Sequence, residues 1–401
     1  MNAGLRALQL GEGDPLHLAR RAVVEAPRSA ASHLLLATLL AYSRDPCEFA
    51  EAAKAVARLA ALPLDDRERA HAGALQEAVL HGDYRSARAG YDRLLDEAPR
   101  DFLALWASQL VDYYLGEPQA TRARVERVLP GWSASNPGYH AVLAMHAFGL
   151  EECGDYAAAE DAARRALELE SGDRRALHAL LHVFEMEGRP EEGLRWVAAC
   201  SRHGELANHL WWHAALFHVQ QGNAEAALAV YERRMRLGSL AELIDASALL
   251  WRLSLVGIEA GAWFAALAER WAPHAADGYC AFNDLHAVMA FVGARRWVLA
   301  ERVLATQKRR LSRAEGANYE MTRLVGLPAC RAIVAFGRGE HELAERLLRA
   351  LPPVAHRIGG SHAQRDVLQL TRAAAALGAR RNRIFHGGVH AGALSQSVAA
   401  A

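Results

Sequence analysis

The segment CGDYAAAEDAARRAL at 153–167 decides the fold, since its pattern returns twice downstream. The two related segments are EGRPEEGLRWV at 187–197 and QGNAEAALAVYERR at 221–234. Each places a glycine at a turn and follows it with apolar residues three or four positions apart, the period of an amphipathic helix. The turn glycines Gly154, Gly188 and Gly222 recur every 34 residues, which predicts a repeated helix-turn-helix unit.

A 34-residue helical hairpin is the period of tetratricopeptide repeats. Three further segments continue the theme at less regular spacing: HGDYRSARAGYDRLL at 81–95, VGARRWVLAERVL at 292–304 and GRGEHELAERLL at 337–348. Alternating strand patterns are lacking, while Ala, Leu, Glu and Arg recur with helical periods. The sequence therefore predicts an all-α fold of tetratricopeptide-like helical hairpins in a compact superhelical array, an α-solenoid.

Domain boundaries in such an array are soft, because each unit contacts mainly its neighbours. We divide the chain where an atypical helix near 240–260 separates a central set of repeats from a C-terminal set. The predicted parts are N-terminal helical repeats at 1–130, central His-rich repeats at 131–260, C-terminal helical repeats at 261–380 and a flexible tail at 381–401.

The amino-acid composition limits the classes of molecule that the protein is expected to bind. Lys+Arg and Asp+Glu both number 46, and this zero net charge argues against nucleic acid and anionic membranes. Five scattered cysteines, without a C-x-x-C pair, fit neither a disulfide framework nor a zinc finger. The sequence has no signal-peptide core and no stretch of roughly 20 apolar residues, so we expect a cytoplasmic protein. It contains no nucleotide- or flavin-binding motif.

Several long strings resemble the tetratricopeptide repeat protein 38 family. They include LEECGDY at 150–156, NHLWWH at 208–213, FNDLHAVMAFV at 282–292 and GGSHAQRDV at 359–367. The resemblance covers most of the chain and implies an all-helical, repeat-built protein, but it implies little about activity. The histidines that lie in the family's signature strings are His178, His182, His209, His213, His286 and His362.

Two pairs of histidines lie in consecutive repeats. His178, His182 and Glu185 have the spacing i, i+4, i+7 and so share one face of a helix. His209 and His213 form the second pair, at a related offset before the next turn glycine. Two imidazoles one turn apart can bind one metal ion, although the H-E-x-x-H glutamate is lacking here. We predict a divalent-metal site at His178, His182 and His213; core histidines are the alternative.

Neighbouring inner helices add further candidates. His140 and His146 precede Gly154, so three successive first helices carry histidine. First helices of successive tetratricopeptide units line one concave surface, and core packing alone does not require imidazole there. Asp284 and His286 occupy a similar position before Gly293; two residues apart on a helix, they do not face each other.

The GGSHAQRD segment at 359–366 is a predicted helix start. Ser361 is a good N-cap, which leaves His362, Gln364 and Arg365 in the first turn. Free amides beside an arginine favour an anion or carboxylate, while a structural cap with an Arg–carboxylate pair is the alternative. Trp212, next to His213, is a candidate ligand contact or simply a packing residue.

We therefore predict a central polar pocket for a small, anionic molecule. The candidate catalytic residues are His178, His182, Glu185, His209, His213, Asp284 and His286. The candidate substrate contacts are His140, His146, Trp212, His362, Gln364 and Arg365. Histidine acid/base chemistry or a divalent metal would make the protein an atypical enzyme. The alternative is a non-catalytic scaffold whose concave groove binds a peptide or partner protein. The oligomeric state stays open, a homodimer included.

Overall fold

A computed structural model describes residues 2–202, 204–312 and 317–381. Within these ranges every regular element is helical, which confirms the predicted all-α class. The first eleven helices are α1 Asn2–Leu10, α2 Pro15–Glu25, α3 Ala30–Ala41, α4 Pro46–Ala60, α5 Asp66–Leu80, α6 Tyr84–Glu97, α7 Phe102–Leu115, α8 Pro118–Val128, α9 Tyr139–Glu152, α10 Tyr156–Leu169 and α11 Arg174–Met186. The others are α12 Pro190–Ser201, α13 Asn208–Gln220, α14 Ala224–Arg234, α15 Leu240–Leu255, α16 Gly261–Trp271, α17 Ala281–Gly293, α18 Trp297–Leu311, α19 Ala317–Met321, α20 Leu327–Gly337, α21 His341–Arg349, α22 His362–Arg365 and α23 at 367–381.

Helix starts follow the sequence signals. Asp14 and Asp45 cap α2 and α4 from the position before a proline, and their carboxylates accept backbone amides of the first turn. Ser239 forms a capping box with Glu242 at the start of α15. The glycines predicted at the repeat turns have left-handed backbones, with φ of 66° at Gly188 and 73° at Gly222. The helix boundaries at these turns were therefore readable from the sequence.

Consecutive helices pack as pairs, from α3 with α4 to α17 with α18. The first helices of these pairs also contact one another in chain order through α7, α9, α11, α13, α15 and α17. Their buried faces carry the polar side chains discussed below, while second helices such as α10 and α14 bury mainly alanine and tyrosine.

Three large apolar clusters support this arrangement. One joins α1 to α9, a second joins α9 to α13, and a third extends from Trp212 to Leu368. Trp212 and Trp271 are among the largest fully buried side chains. No described helix has both the length and the apolar character needed to cross a membrane. The predicted tail at 381–401 lies outside the described residues, apart from Arg381.

Candidate metal centre and ligand cavity

Helices α11 and α13 bring four imidazoles together. The ligand nitrogens of His178, His182, His209 and His213 all lie within 4.8 Å of one another. His178 and His182 share a hydrogen bond between their Nε2 atoms at 2.9 Å. Since His182 and His213 are fully buried, two of the four rings have no contact with solvent. The two i, i+4 pairs, which the sequence places on successive first helices, therefore meet in the structure.

Carboxylates face the Nδ1 atoms of three of these rings. Asp245 of α15 lies 2.8 Å from His209, and Glu185 of α11 lies 2.9 Å from His213. The Glu151 carboxylate of α9 is 3.6 Å from Nδ1 of His182. A carboxylate on one ring nitrogen fixes the tautomer and directs the lone pair of the other nitrogen toward a ligand.

Burial and mutual repulsion set the charge of the cluster. Burial, followed by the neighbouring imidazoles, holds the pKa values of His178 and His213 well below the ordinary range. Burial also opposes protonation of His182, but Glu151 and the other nearby carboxylates outweigh it and raise the pKa. Burial raises the pKa of Glu185 to about 8. At neutral pH, His178 and His213 are uncharged and available as ligands.

Buried polar atoms beside the cluster lack hydrogen-bond partners. Among the described residues, Nε2 of His213, Nδ1 of His182 and both carboxylate oxygens of Glu151 have none. Glu151, adjacent Glu152 and His182 form a second set of ligand atoms within 4.8 Å of one another. Buried polar groups normally have partners, so each such atom calls for a physical explanation.

The cluster borders a cavity of about 500 Å³. First helices α7, α9, α11, α13, α15 and α17 line it, together with the start of α22. His178 and His209 face this space, whereas His182 and His213 lie behind them. A cavity of this size is within the range of small-molecule sites, roughly 300–1,000 Å³.

Two of the predicted substrate contacts lie elsewhere. Nδ1 of His140 is 2.7 Å from Asp173, and its Nε2 accepts from Arg6 at 2.9 Å. Asp173 also caps α11, so His140 stabilises the start of the helix that carries His178. His146 is 3.6 Å from the half-exposed carboxylate of Glu126. Neither histidine lines the 500 Å³ cavity.

Asp284 and His286 are buried in α17 away from the four histidines' contacts. Asp284 accepts a 3.0 Å hydrogen bond from Gln307, and burial raises its pKa to about 7. Nδ1 of His286 is 2.8 Å from the Phe282 carbonyl, and burial lowers the pKa of His286 to about 3. As expected from their spacing, the two side chains do not pair with each other.

The GGSHAQRD segment does reach the cavity region. Ser361 caps α22 in a box with Gln364, and both line the cavity. Arg365 is bound to Glu152 at 3.0 Å, and the amide of His362 donates to the same carboxylate at 2.8 Å. These contacts correspond to the structural alternative for the segment, a cap with an Arg–carboxylate pair.

Trp212 is a packing residue in contact with the cluster. Its ring stacks on His209 with centroids 5.0 Å apart and planes 11° apart. The side chain is fully buried and lies outside the lining of the 500 Å³ cavity. Trp212 therefore positions His209 and has no direct access to a ligand in that space.

Sequence reasoning missed several residues of this region. Asp245 is the acid of the apolar string LIDASALL, and a lone carboxylate in such a string was a usable signal. Glu151 and Glu152 belong to the LEECGDY string but were not assigned a role. Arg44, in the loop between α3 and α4, also lines the cavity and had no local signal that linked it to the histidines.

A scan of the sequence against protein-family models finds no match. The chemistry of the site is therefore inferred from its own side chains.

Proposed function

We propose that this chain is a tetratricopeptide-like superhelical array built around a metal-containing cavity that binds a small anionic molecule. Support for the array comes from the 34-residue recurrence of turn glycines and from the pairing of successive helices. The first helices of those pairs surround one cavity, as expected when repeats curve around a common centre.

The metal proposal rests on one observation: four imidazoles converge and three of them face a carboxyl group with Nδ1, two at hydrogen-bond distance and one at 3.6 Å. The pairs are His209 with Asp245, His213 with Glu185, and His182 with Glu151. Histidines that bind metal almost always make this second contact, which leaves the opposite nitrogen free to coordinate. Core histidines need a partner too, but packing alone does not ask four of them to converge within 4.8 Å.

The four imidazole nitrogens favour a metal ion of intermediate softness. Imidazole suits zinc, copper, iron and nickel better than magnesium or calcium, which prefer oxygen ligands. A tetrahedral site with bonds of about 2.0–2.1 Å separates its nitrogens by roughly 3.3 Å. The four nitrogens lie within 4.8 Å of one another, so a bound metal ion would require the more distant of them to move closer. Zinc is our first choice because it accepts a tetrahedral nitrogen set without redox chemistry.

His178 and His209 give the centre access to the cavity. A divalent metal there supplies a Lewis acid and lowers the pKa of a bound water. His178 and His209 would be the ligands nearest to an occupant of the cavity, since both line it. This arrangement supports a metal-dependent enzyme acting on a small molecule that occupies the cavity.

Elemental analysis tests the proposal. Untagged protein is purified without chelators, and its metal content is measured by plasma mass spectrometry beside the His182→Gln/His213→Gln double variant. The matched control is His17→Gln/His81→Gln, in which two exposed histidines are replaced. We expect close to one equivalent of metal in the wild type and the control, and a loss of most of it in the double variant.

A folding check accompanies the measurement, because both replaced side chains are buried. Circular dichroism must show a helical, cooperatively unfolding double variant, and His178→Gln, at a half-buried position, serves as a milder second test. Wild-type protein that stays metal-free after equilibration with zinc, copper, iron and nickel would overturn the metal proposal. Equal metal in the wild type and the folded variants would overturn the site assignment.

A further inference from the structure

Two arginines line the cavity without an ion-pair partner among the described residues. Arg44 and Arg175 both face this space, yet neither forms a salt bridge with a described carboxylate. The other cations beside the site are paired, Arg365 with Glu152 and Arg252 with Asp366. Arg44 and Arg175 are half-buried, whereas Arg252 is buried and the Arg365 side chain nearly so, and the two unpaired arginines keep accessible surface at the cavity wall.

Arg44 is held in place by aromatic rings. Its guanidinium carbon lies 4.2 Å from the Phe282 ring centroid, 5.2 Å from that of Tyr114 and 5.5 Å from that of Tyr113. These contacts fix and partly stabilise the cation, but uncharged rings cannot neutralise it. The Nη1 atom is buried and has no hydrogen-bond partner among the described residues.

The surroundings of Arg44 offer further polar contacts. Gln364 accepts from the Tyr113 hydroxyl at 2.9 Å through Oε1, which leaves its amide group as a donor at the cavity wall. Arg175 uses Nε to bind the Leu8 carbonyl at 2.7 Å. Arg44 also borders a smaller cavity of about 160 Å³, but only the larger one reaches Arg175 and the histidines.

Much of the rest of the cavity wall is apolar. Trp106, Leu110, Met145, Phe148 and Ile244 line it, together with polar side chains that include Gln109 and Asp245. An occupant of this space meets the guanidinium groups of Arg44 and Arg175, aromatic and aliphatic side chains, and the imidazoles of His178 and His209.

We propose that Arg44 is the anion-recognition residue of this cavity, and that its ligand is a compact apolar or aromatic molecule carrying one oxyanion group, a carboxylate or a phosphate. The planar guanidinium matches such a group through two parallel hydrogen bonds. This inference rests on the proposed function, because it names the class of molecule that the metal-containing cavity takes. It differs from the sequence-based prediction, which gave the anion to Arg365.

Matched probes test the inference. Binding of 3-phenylpropionate, phenyl phosphate and the neutral 3-phenylpropionamide is measured by calorimetry on wild type, Arg44→Gln, Arg44→Lys and the exposed control Arg338→Gln. We expect at least one acid to bind roughly ten-fold or more tightly than the amide, because charge-assisted hydrogen bonds contribute about that factor. Arg44→Gln should remove the difference, Arg44→Lys should restore part of it, and the control should keep it.

Each titration is run on chelator-treated and on zinc-loaded protein, which separates this inference from the metal proposal. An Arg44-dependent preference for acid over amide in protein that takes up no metal supports the anion site and contradicts the metal centre. A metal-loaded protein that binds the acids no better than the amide, or binds them equally in Arg44→Gln, overturns the anion site. The preference of phenyl phosphate over 3-phenylpropionate, or the reverse, decides which oxyanion is recognised.

Discussion

Replacing Asp245 tests how the carboxylates would support the proposed metal centre. Its Oδ1 lies 2.8 Å from Nδ1 of His209, and only 6% of the Asp245 side chain is exposed, so solvent screens the pair little. Removing such a support typically weakens metal binding about 10- to 100-fold, or roughly 1.4–2.7 kcal/mol. Asp245→Asn keeps an acceptor for Nδ1–H and should fall near the lower end. Asp245→Ala also frees the ring to rotate and should fall near the upper end.

Zinc affinity is measured at neutral pH by competition with a chromophoric chelator. The matched control is Asp277→Asn, because Asp277 forms the same contact with His274, also at 2.8 Å, outside the cluster. The control should bind zinc like the wild type. Unchanged affinity in both Asp245 variants, with native helicity and unfolding, would refute the supporting role of this carboxylate.

Three further predictions concern stability. Gly193→Ala should destabilise the protein by about 1–3 kcal/mol in urea unfolding, because a Cβ there would lie 2.2 Å from the Phe217 ring. Gly73→Ala is the matched control: Gly73 has open space around it, so this substitution should stabilise the protein by about 0.5–1 kcal/mol. Equal effects would contradict this packing. Arg365→Met removes the ion-pair partner of the buried Glu152 carboxylate, which keeps its hydrogen bond from the His362 amide, and should cost about 3–5 kcal/mol, so a loss below 1 kcal/mol would contradict the pairing. Burial raises the pKa of Asp284 to about 7. The folded state therefore holds that proton more tightly than the unfolded chain, and the contribution of Asp284 to stability, taken as the difference in unfolding free energy between wild type and Asp284→Asn, should fall by up to roughly 4 kcal/mol as the pH rises from about 4 to about 7. Asp284→Asn should remove that contribution. A plot of unfolding free energy against pH that is the same in Asp284→Asn and in wild type would contradict the raised pKa of Asp284.

Much of the architecture could be predicted because local signals repeat. Turn glycines such as Gly188 and Gly222, and caps such as Asp14 and Asp45, act within a few residues, so their effect is visible in the sequence. Helical periodicity likewise identified which helices come first in each pair.

The placement of the two histidine pairs on successive first helices was predictable for the same reason, but their convergence was not. His178 and His182 share a helix face, as do His209 and His213, and a constant repeat length places the two helices side by side. The candidates at Asp284 and His140 had similar sequence offsets but found other partners, Gln307 and Asp173. Offset within a repeat sets the height of a residue on its helix, but it does not specify which neighbour its side chain will contact.

Other parts of the site depend on long-range packing that no local pattern encodes. Asp245 contacts His209 although the two residues are 36 positions apart in the sequence. Arg44 contacts the Phe282 ring although the two residues are even farther apart in the sequence. Arg365 was assigned to a ligand because a helix start with free amides favours anions; instead it binds Glu152 of α9. Such choices are decided by how helices that are distant in the sequence pack together.

X-ray absorption at the zinc edge, on protein loaded with one equivalent of zinc, tests the central claim most directly. The proposed centre predicts a first shell of nitrogen at about 2.0–2.1 Å and the outer-shell pattern of at least three imidazoles. His213→Gln should lower the imidazole number by one. A shell that contains sulfur, consists mainly of oxygen, or is unchanged in His213→Gln would contradict a zinc site at the four histidines.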